Sequence, residues 1–368
     1  MPITVPAPLS AVLPGSPSAS RPGLAVECID PRVDARWDRW LDSHPQATVF
    51  HTAAWARVLA ESYRFEPCYF TSVAADGTRV LLPMLEVDSW FTGRRGVSLP
   101  FSDFCPPLGD AGAGLPDVVF SALRAHARER GWRYIECRGG LPQTTGARPS
   151  LSYFTHDLDL ATGEDALFTA FHPAVRRAIR KAEKSGLTTE VTTSAAAIGE
   201  FFRLQELTRR RHGLPPQPID FFRRMREQIL DRGMGFIVLA RLNGAAVAGV
   251  IFFTLGRGAL FKFGASDASY QASRPTNLVL WAAIRECLAR GVTHLHFGRN
   301  ATHHESLRRF KLSWGTREDR IDYVKFDCRT QQFSTDRSLL NGWQNRVFRR
   351  LPLPLSRLAG RILYRHIA

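Results

Sequence analysis

The chain has 368 residues, 44% hydrophobic and 23% charged, an ordinary globular balance that excludes wholesale disorder and favours two domains over one. Its 49 Lys and Arg against 34 Asp and Glu leave a net charge of +15, which points to an anionic partner and says nothing of fold. The six cysteines (Cys28, Cys68, Cys105, Cys137, Cys287 and Cys328) form no C-x-x-C pair, so they read as small buried hydrophobes in a reducing compartment.

Residues 1–23 hold Pro, Ala and Ser, no acid and only Arg21, with Pro2, Pro6, Pro8 and Pro14 breaking every apolar run. They read as a disordered leader and not as a secretory signal. No window reaches the roughly 18 apolar residues of a membrane span, and a cytoplasmic location is expected, with possible peripheral association at the inner face of the plasma membrane. The spacing predicts helix over 33–62, interrupted at Pro45, through Trp37, Trp40, Leu41, Trp55, Val58 and Leu59. Strands at 66–74 and 79–87 flank an Asp76-Gly77 turn, and an apolar segment at 96–101 enters the loop Cys105-Pro106-Pro107. A helix at 115–130 and a strand at 132–138 complete an N-terminal domain over 24–160.

The second domain is expected over 161–328. It opens with a basic helix at 172–185 and continues with helices at about 194–210 and 219–232. Strands at 235–242 and 246–255 meet at Asn243-Gly244, the strongest short hairpin signal in the chain. A strand at 258–264, a helix at 277–290 and a strand at 292–297 follow. The similar order of elements suggests an internal duplication. The tail, 329–368, holds eight Arg, no Lys and one acid, Asp336, and so carries +7 of the net charge. Its stripe of Leu355, Leu358, Ile362 and Leu363 beside Arg357, Arg361 and Arg365 either packs on the body or lies on an anionic membrane surface. A preceding turn would hold Trp343, Val347 and Phe348.

Leu260–Trp314 is the stretch richest in chemistry. Gly264, Ala265 and Ser266 close a strand, where small residues admit a ligand. Asn277 opens a helix bearing Trp281, whose first amides suit an anion. Arg299 follows Gly298, and Lys311 lies between Phe310 and Trp314, a setting in which an ammonium could face a developing oxyanion. The plainer reading makes these glycines turn formers and Lys311 a solvated charge. His294, His296, His303, His304 and Glu305 invite a metal reading, but with no suitably placed acidic or Cys partner to complete the set, none is expected. Arg176, Arg177, Arg180 and Lys181 form a basic helix face, either solvated or anion-binding. Without interleaved aromatics, helix-turn-helix or zinc-finger signals, sequence-specific nucleic-acid binding is not expected.

The segments HPQATVFHTAAWARVL (44–59), GVSLPFSDFCPPL (96–108), VRRAIRKAEKSG (175–186), TRRRHGLPPQP (208–218), FKFGASD (261–267), TNLVLWAAI (276–284), HFGRN (296–300) and RRFKLSWG (308–315) together resemble the FemAB-like branch of the GNAT acyltransferase superfamily. The likeness is closest to the FemAB-related proteins of bacterial exopolysaccharide and exosortase systems and covers about residues 27–365. It implies an α/β fold of two tandem GNAT-like domains, each with a mixed central sheet flanked by helices, followed by a basic C-terminal helix. It also implies transfer of an acyl or aminoacyl group to an amine of a cell-envelope or exopolysaccharide precursor, free or lipid-linked. No tightly bound cofactor is expected, and the donor would be acyl-CoA or aminoacyl-tRNA.

On this resemblance Lys311 matches the lysine proposed to stabilise the transition state, Arg209, Arg210, Arg211 and His212 fall where acceptor phosphate is held, and Phe261 and Lys262 line the acceptor cleft. His212 and then Asp267 are candidate bases, although such reactions can proceed without a side-chain base. The chain departs from the family in lacking a long coiled-coil arm, an evident N-terminal phosphate-binding lysine and a Gly-rich pyrophosphate loop. The alternative is a non-catalytic, membrane-associated assembly factor that retains the fold.

Overall fold

The computed structural model describes residues 25–42, 44–74, 77–109, 115–141, 147–335 and 348–367. The expected leader, Asp76, Trp343 and Val347 lie outside these residues. The first half comprises β1 (Val26–Ile29), α1 (Arg36–Leu41), α2 (Ala53–Tyr63), β2 (Glu66–Pro67), β3 (Tyr69–Val73), β4 (Arg79–Leu82), β5 (Leu85–Val87), β6 (Arg95–Val97), α3 (Leu115–Glu129), β7 (Tyr134–Arg138) and β8 (Pro149–Asp159). The second comprises α4 (Glu164–Ala170), α5 (Pro173–Lys184), β9 (Thr188–Thr192), α6 (Ala195–His212), α7 (Ile219–Gln228), β10 (Gly235–Leu242), β11 (Ala245–Leu255), β12 (Gly258–Ser266), α8 (Pro275–Ala289) and β13 (His294–His296). After it come β14 (Asn300–Ala301), α9 (Glu305–Leu312), β15 (Arg317–Asp327), β16 (Gln332–Ser334) and α10 (Leu353–Leu363).

Local chemistry places most of these boundaries. Thr52 and Ser194 cap α2 and α6, and each accepts a bond from a first-turn amide. Gly213 ends α6 in the left-handed conformation. Asn243 and Gly244 both take positive φ, which turns β10 back onto β11. The two strands expected at 66–74 and 79–87 are each divided near a proline, Pro67 and Pro83. Their pieces join different sheets: β3 and β4 lie in a three-stranded sheet with β1, whereas β2 and β5 lie in the main sheet.

The main sheet runs β2-β5-β6-β7-β15-β8-β13-β12-β11-β10-β9. Its two ends carry the same pattern. In the first half β5 is antiparallel to β6, β6 parallel to β7, and β7 antiparallel to β15. In the second, β11 is antiparallel to β12, β12 parallel to β13, and β13 antiparallel to β8. The duplication suspected from element order is thus present in the pairing. The halves also exchange strands: β8 precedes residue 160 and joins β13, while β15 returns to β7, and the two pair with each other at the centre. One mixed sheet therefore passes through both halves, flanked by helices on its faces.

The packing is shared as well. Trp55 of α2 meets Phe221 of α7 and Phe253 of β11, with ring centroids 6.1 and 5.7 Å apart. α5 and α8 cover the second half through Val175, Ile179, Leu280 and Ile284, and α3 covers the first through Val119, Phe120 and Leu123. Four cysteines are buried as expected, but Cys28 is exposed and Cys328 partly so.

Of the two readings left open for the C-terminal helix, packing of its Leu/Ile stripe on the body is not what the structure shows for Leu355, Leu358 and Ile362, which are exposed. The face turned inward is Ser356, Gly360 and Tyr364, because only a glycine admits the carbonyl of Pro216 so close to the helix axis. Tyr364 Oη donates to the Pro215 carbonyl at 3.2 Å, and Arg357 pairs with the buried Glu206. A Cβ at residue 360 would lie 2.0 Å from the Pro216 oxygen. Gly360→Ala is therefore expected to detach α10: limited trypsin digestion should cut at Arg361 and Arg365 much sooner, while the main melting transition is kept. An unchanged digestion rate would contradict this packing.

Candidate active site

β12 and β13 are paired in parallel only over Gly258–Leu260 and His294–His296, after which they diverge. The carboxyl ends of parallel strands that part in this way leave a crevice where backbone groups lack ladder partners. The loop after β6 enters it from the other half of the molecule. It carries Asp103, whose carboxylate accepts from Lys262 Nζ at 3.1 Å. Lys262 also donates to the Phe101 carbonyl at 2.6 Å, and its ammonium lies 4.9 Å from the Phe50 ring centroid.

Lys311 approaches the same crevice from α9. It is 3% exposed and donates to the Gly298 carbonyl at 2.7 Å. Gly298 has φ +70°, and a Cβ there would lie 3.5 Å from the Phe261 carbonyl and 3.6 Å from the Asp103 carboxylate, so the turn after β13 sits against both. Arg299 then stacks over Tyr153 and Tyr323 at 4.1 and 4.9 Å, and Tyr323 Oη donates to the Asp103 carbonyl at 2.6 Å.

Burial dominates the electrostatics. It lowers Lys311 to about 8, against the attraction of Asp103 and aided by Arg299. Burial alone would raise the Asp103 carboxyl, but Lys262, Arg299 and His296 overcome it and hold the group below its ordinary value. Lys262 is pulled down by burial, with Asp103 opposing. His296 falls to about 3 and His156, bonded to Glu318 at 3.1 Å, to about 4, both mainly through burial. Several buried polar atoms here have no hydrogen-bond partner among the described residues: His156 Nδ1, Arg299 Nη1, Asn300 Oδ1 and Trp314 Nε1. Buried groups of this kind call for a ligand or water.

The structure thus brings Lys311, Lys262, Arg299 and Phe261 to one crevice. Phe261 stacks on Phe252 at 5.3 Å and meets Phe297 edge-on. Trp281 and Trp314 are buried and pack through Phe171, and the half-buried Phe310 lies against Trp314, so these three support the site as wall and core. Ser266 is bonded through its backbone to Thr208. Asp267 caps a short turn, its carboxyl held low by bonds from Ser269.

Arg209 is committed to Tyr364 of α10 and to the Pro215 carbonyl, while Arg210, Arg211 and His212 project from the exposed end of α6. His212 is lowered by burial and then by Arg211 and Arg209. Arg177, Lys181, Arg274 and Asn277 line a hollow of about 410 Å³ between α5 and α8, with Ser313, two residues from Lys311, in its wall. Arg180 lies over Phe168, and Arg176 is half-buried with its Nε unpartnered. Sequence reasoning missed Asp103, His296 and Tyr323 as members of the site. Asp103 carried a signal: it is the one acid in the segment 96–108. Among the described residues no group of three His, Cys, Asp or Glu side chains is arranged to hold a metal ion.

This second half, residues 171–311, matches the family described as acetyltransferase (GNAT) domain. The match agrees with the resemblance noted from the motifs in that stretch. Among solved structures it is similar to FemX, with TM-score 0.66 and 14% identity over 83% of this chain and 97% of that one. A tandem GNAT protein from the clavulanic acid biosynthesis pathway matches with TM-score 0.52 and 13% identity over 83% and 99% of the two chains. L-PGS from Bacillus licheniformis matches with TM-score 0.52 and 13% identity over 92% and 98%. These likenesses establish a tandem GNAT-like α/β fold. A search of curated proteins gave no match.

Removing one partner of a buried ion pair leaves the other charge uncompensated. Asp103→Asn is expected to destabilise the protein by about 3–5 kcal/mol, read from urea unfolding, with Asp103→Asn/Lys262→Met recovering much of the loss. A single variant as stable as the parent would show that the pair is not formed.

Proposed function

We propose that this protein is an acyltransferase that moves an acyl or aminoacyl group onto an amine of a cell-envelope or exopolysaccharide precursor. The observation that carries the reading is the buried ammonium of Lys311, held at the divergence of β12 and β13 beside polar atoms that have no hydrogen-bond partner among the described residues. One of its protons is engaged by Gly298 and two remain. A carbonyl oxygen brought beside Nζ would gain negative charge as the amine attacks and would be stabilised there. A single donor of this kind is worth roughly 3–4 kcal/mol in the transition state.

The donor is an acyl-CoA or an aminoacyl-tRNA, both of which carry phosphate. The hollow beside Arg177, Lys181 and Arg274 suits such an anion, through the guanidinium and ammonium groups of those residues. Ser313 links that hollow to the helix end that bears Lys311. No tightly bound cofactor is required. The acceptor, a glycan precursor either free or lipid-linked, enters beside Phe261 and Lys262. The activity belongs at the cytoplasmic face of the membrane; among the described residues no helix is long and apolar enough to cross one.

Lys311→Ala is expected to lower turnover about a hundredfold or more, with the folded state kept by circular dichroism. Parental turnover with the true substrate pair would remove Lys311 from the mechanism. The depressed lysine also sets a pH dependence. The ammonium is the active form, so kcat/KM should fall as pH rises through about 8, and Lys311→Arg should abolish that falling limb.

A further inference from the structure

The outward face of α10 is apolar where a soluble helix would be polar. Leu355, Leu358 and Ile362, at i, i+3 and i+7, are 53%, 54% and 49% exposed, and Ile367 beyond them is 48% exposed. The side chains facing the body are Ser356, Gly360 and Tyr364, so among the described residues the stripe packs against none. The turn between β5 and β6 extends the same surface. Its Trp90 and Phe91 are 77% and 60% exposed and stacked on one another with centroids 3.9 Å apart. Trp90 Nε1 donates to His366 Nε2 at 3.1 Å, and Arg95 donates to the His366 carbonyl at 2.8 Å, which fixes the aromatic pair at the end of the helix.

We propose that α10 and the Trp90-Phe91 turn form one surface that docks on an anionic lipid bilayer. Contiguous apolar side chains left in water mark an interaction site. The charge beside them selects the partner: Arg357, Arg361 and Arg365 run along one flank of the stripe, and residues 348–367 contain no acid. A helix with an apolar face rimmed by arginines lies in the headgroup region with its hydrocarbon side inward. Indole and phenyl rings at its end suit that same boundary. A second copy of the chain is a poorer occupant, because stripe-to-stripe packing brings the exposed Arg361 and Arg365 against their own kind. The surface is also joined to the candidate site. Tyr364 lies 5.6 Å from the Phe101 ring, and the Phe101 carbonyl accepts from Lys262.

The proposal stands on this surface alone and is independent of the acyl-transfer reading. The test is flotation of the full-length protein with vesicles of phosphatidylcholine, with and without phosphatidylglycerol. Binding is expected only with phosphatidylglycerol and should weaken with salt. Leu358→Ser/Ile362→Ser and Trp90→Ser/Phe91→Ser should each reduce it at least tenfold, with melting temperatures near the parent because the replaced side chains are exposed. Arg361→Gln and Arg365→Gln should each cost roughly fivefold. Equal binding by parent and variants, binding to neither vesicle, or a stripe-dependent dimer in sedimentation analysis without vesicle binding would each overturn the proposal.

Discussion

The ion pair between Asp103 and Lys262 joins the two halves of this molecule at the point where the chemistry is placed. Neither group would be buried alone, since an isolated charge in the interior costs several kcal/mol. Together they are tolerable because the surroundings complete the bonding: the Phe101 carbonyl takes a second proton of the ammonium, and Arg299 adds to the field at the carboxylate. The pair is therefore less a source of stability than a source of position. It holds the loop after β6 in the crevice of the other half, and that loop in turn sets where Gly298 and Lys311 lie.

The strand exchange explains why one crevice and not two carries this arrangement. The first half has the same parallel pair, β6 and β7, but its opening is closed by its own loop. Ser98 Oγ accepts from the Arg138 amide and the Cys105 amide donates to the Arg138 carbonyl, so backbone that could have faced a ligand is satisfied internally. The loop spent in closing the first crevice then supplies Asp103 to the second. A duplicated fold has thus become asymmetric: one copy is a scaffold, and the other retains unsatisfied polar groups.

Much of this architecture was legible in the residues. Asn243-Gly244 announced its hairpin, and the apolar periodicity of α2, α5 and α8 placed the core helices because burial repeats locally. β8 and β15 were not legible. Arg317–Asp327 alternates Ile321 and Tyr323 with charged neighbours, a weak pattern whose meaning comes only from partners more than a hundred residues away. The site divided in the same way. Lys311 and Lys262 stood out from the motifs that contain them. The roles of Asp103 and Arg209 did not, because they depend on which surfaces meet, and Arg209 is spent on holding α10. The inward face of the C-terminal helix is undecided in the sequence for a related reason: hydrophobicity favours the Leu stripe as the buried face, whereas close approach to Pro216 selects Gly360.

The distribution of proton affinities also limits what the crevice can do. An attacking amine must lose a proton, yet the imidazoles beside Lys311 are poor acceptors: His296 at about 3 and His156 at about 4 would hold a proton far too weakly at neutral pH. Asp103 is ionised but engaged by Lys262, and its field serves to keep cations in place. Asp267 is bonded by Ser269 on a surface turn, and His212, at the end of α6, has its protonation opposed by burial and then by Arg211 and Arg209. What the site offers is a buried, positive cluster of fixed donors, which suits stabilising a developing oxyanion better than pulling a proton. An amine already neutral on arrival, or one that passes its proton to water, fits this environment.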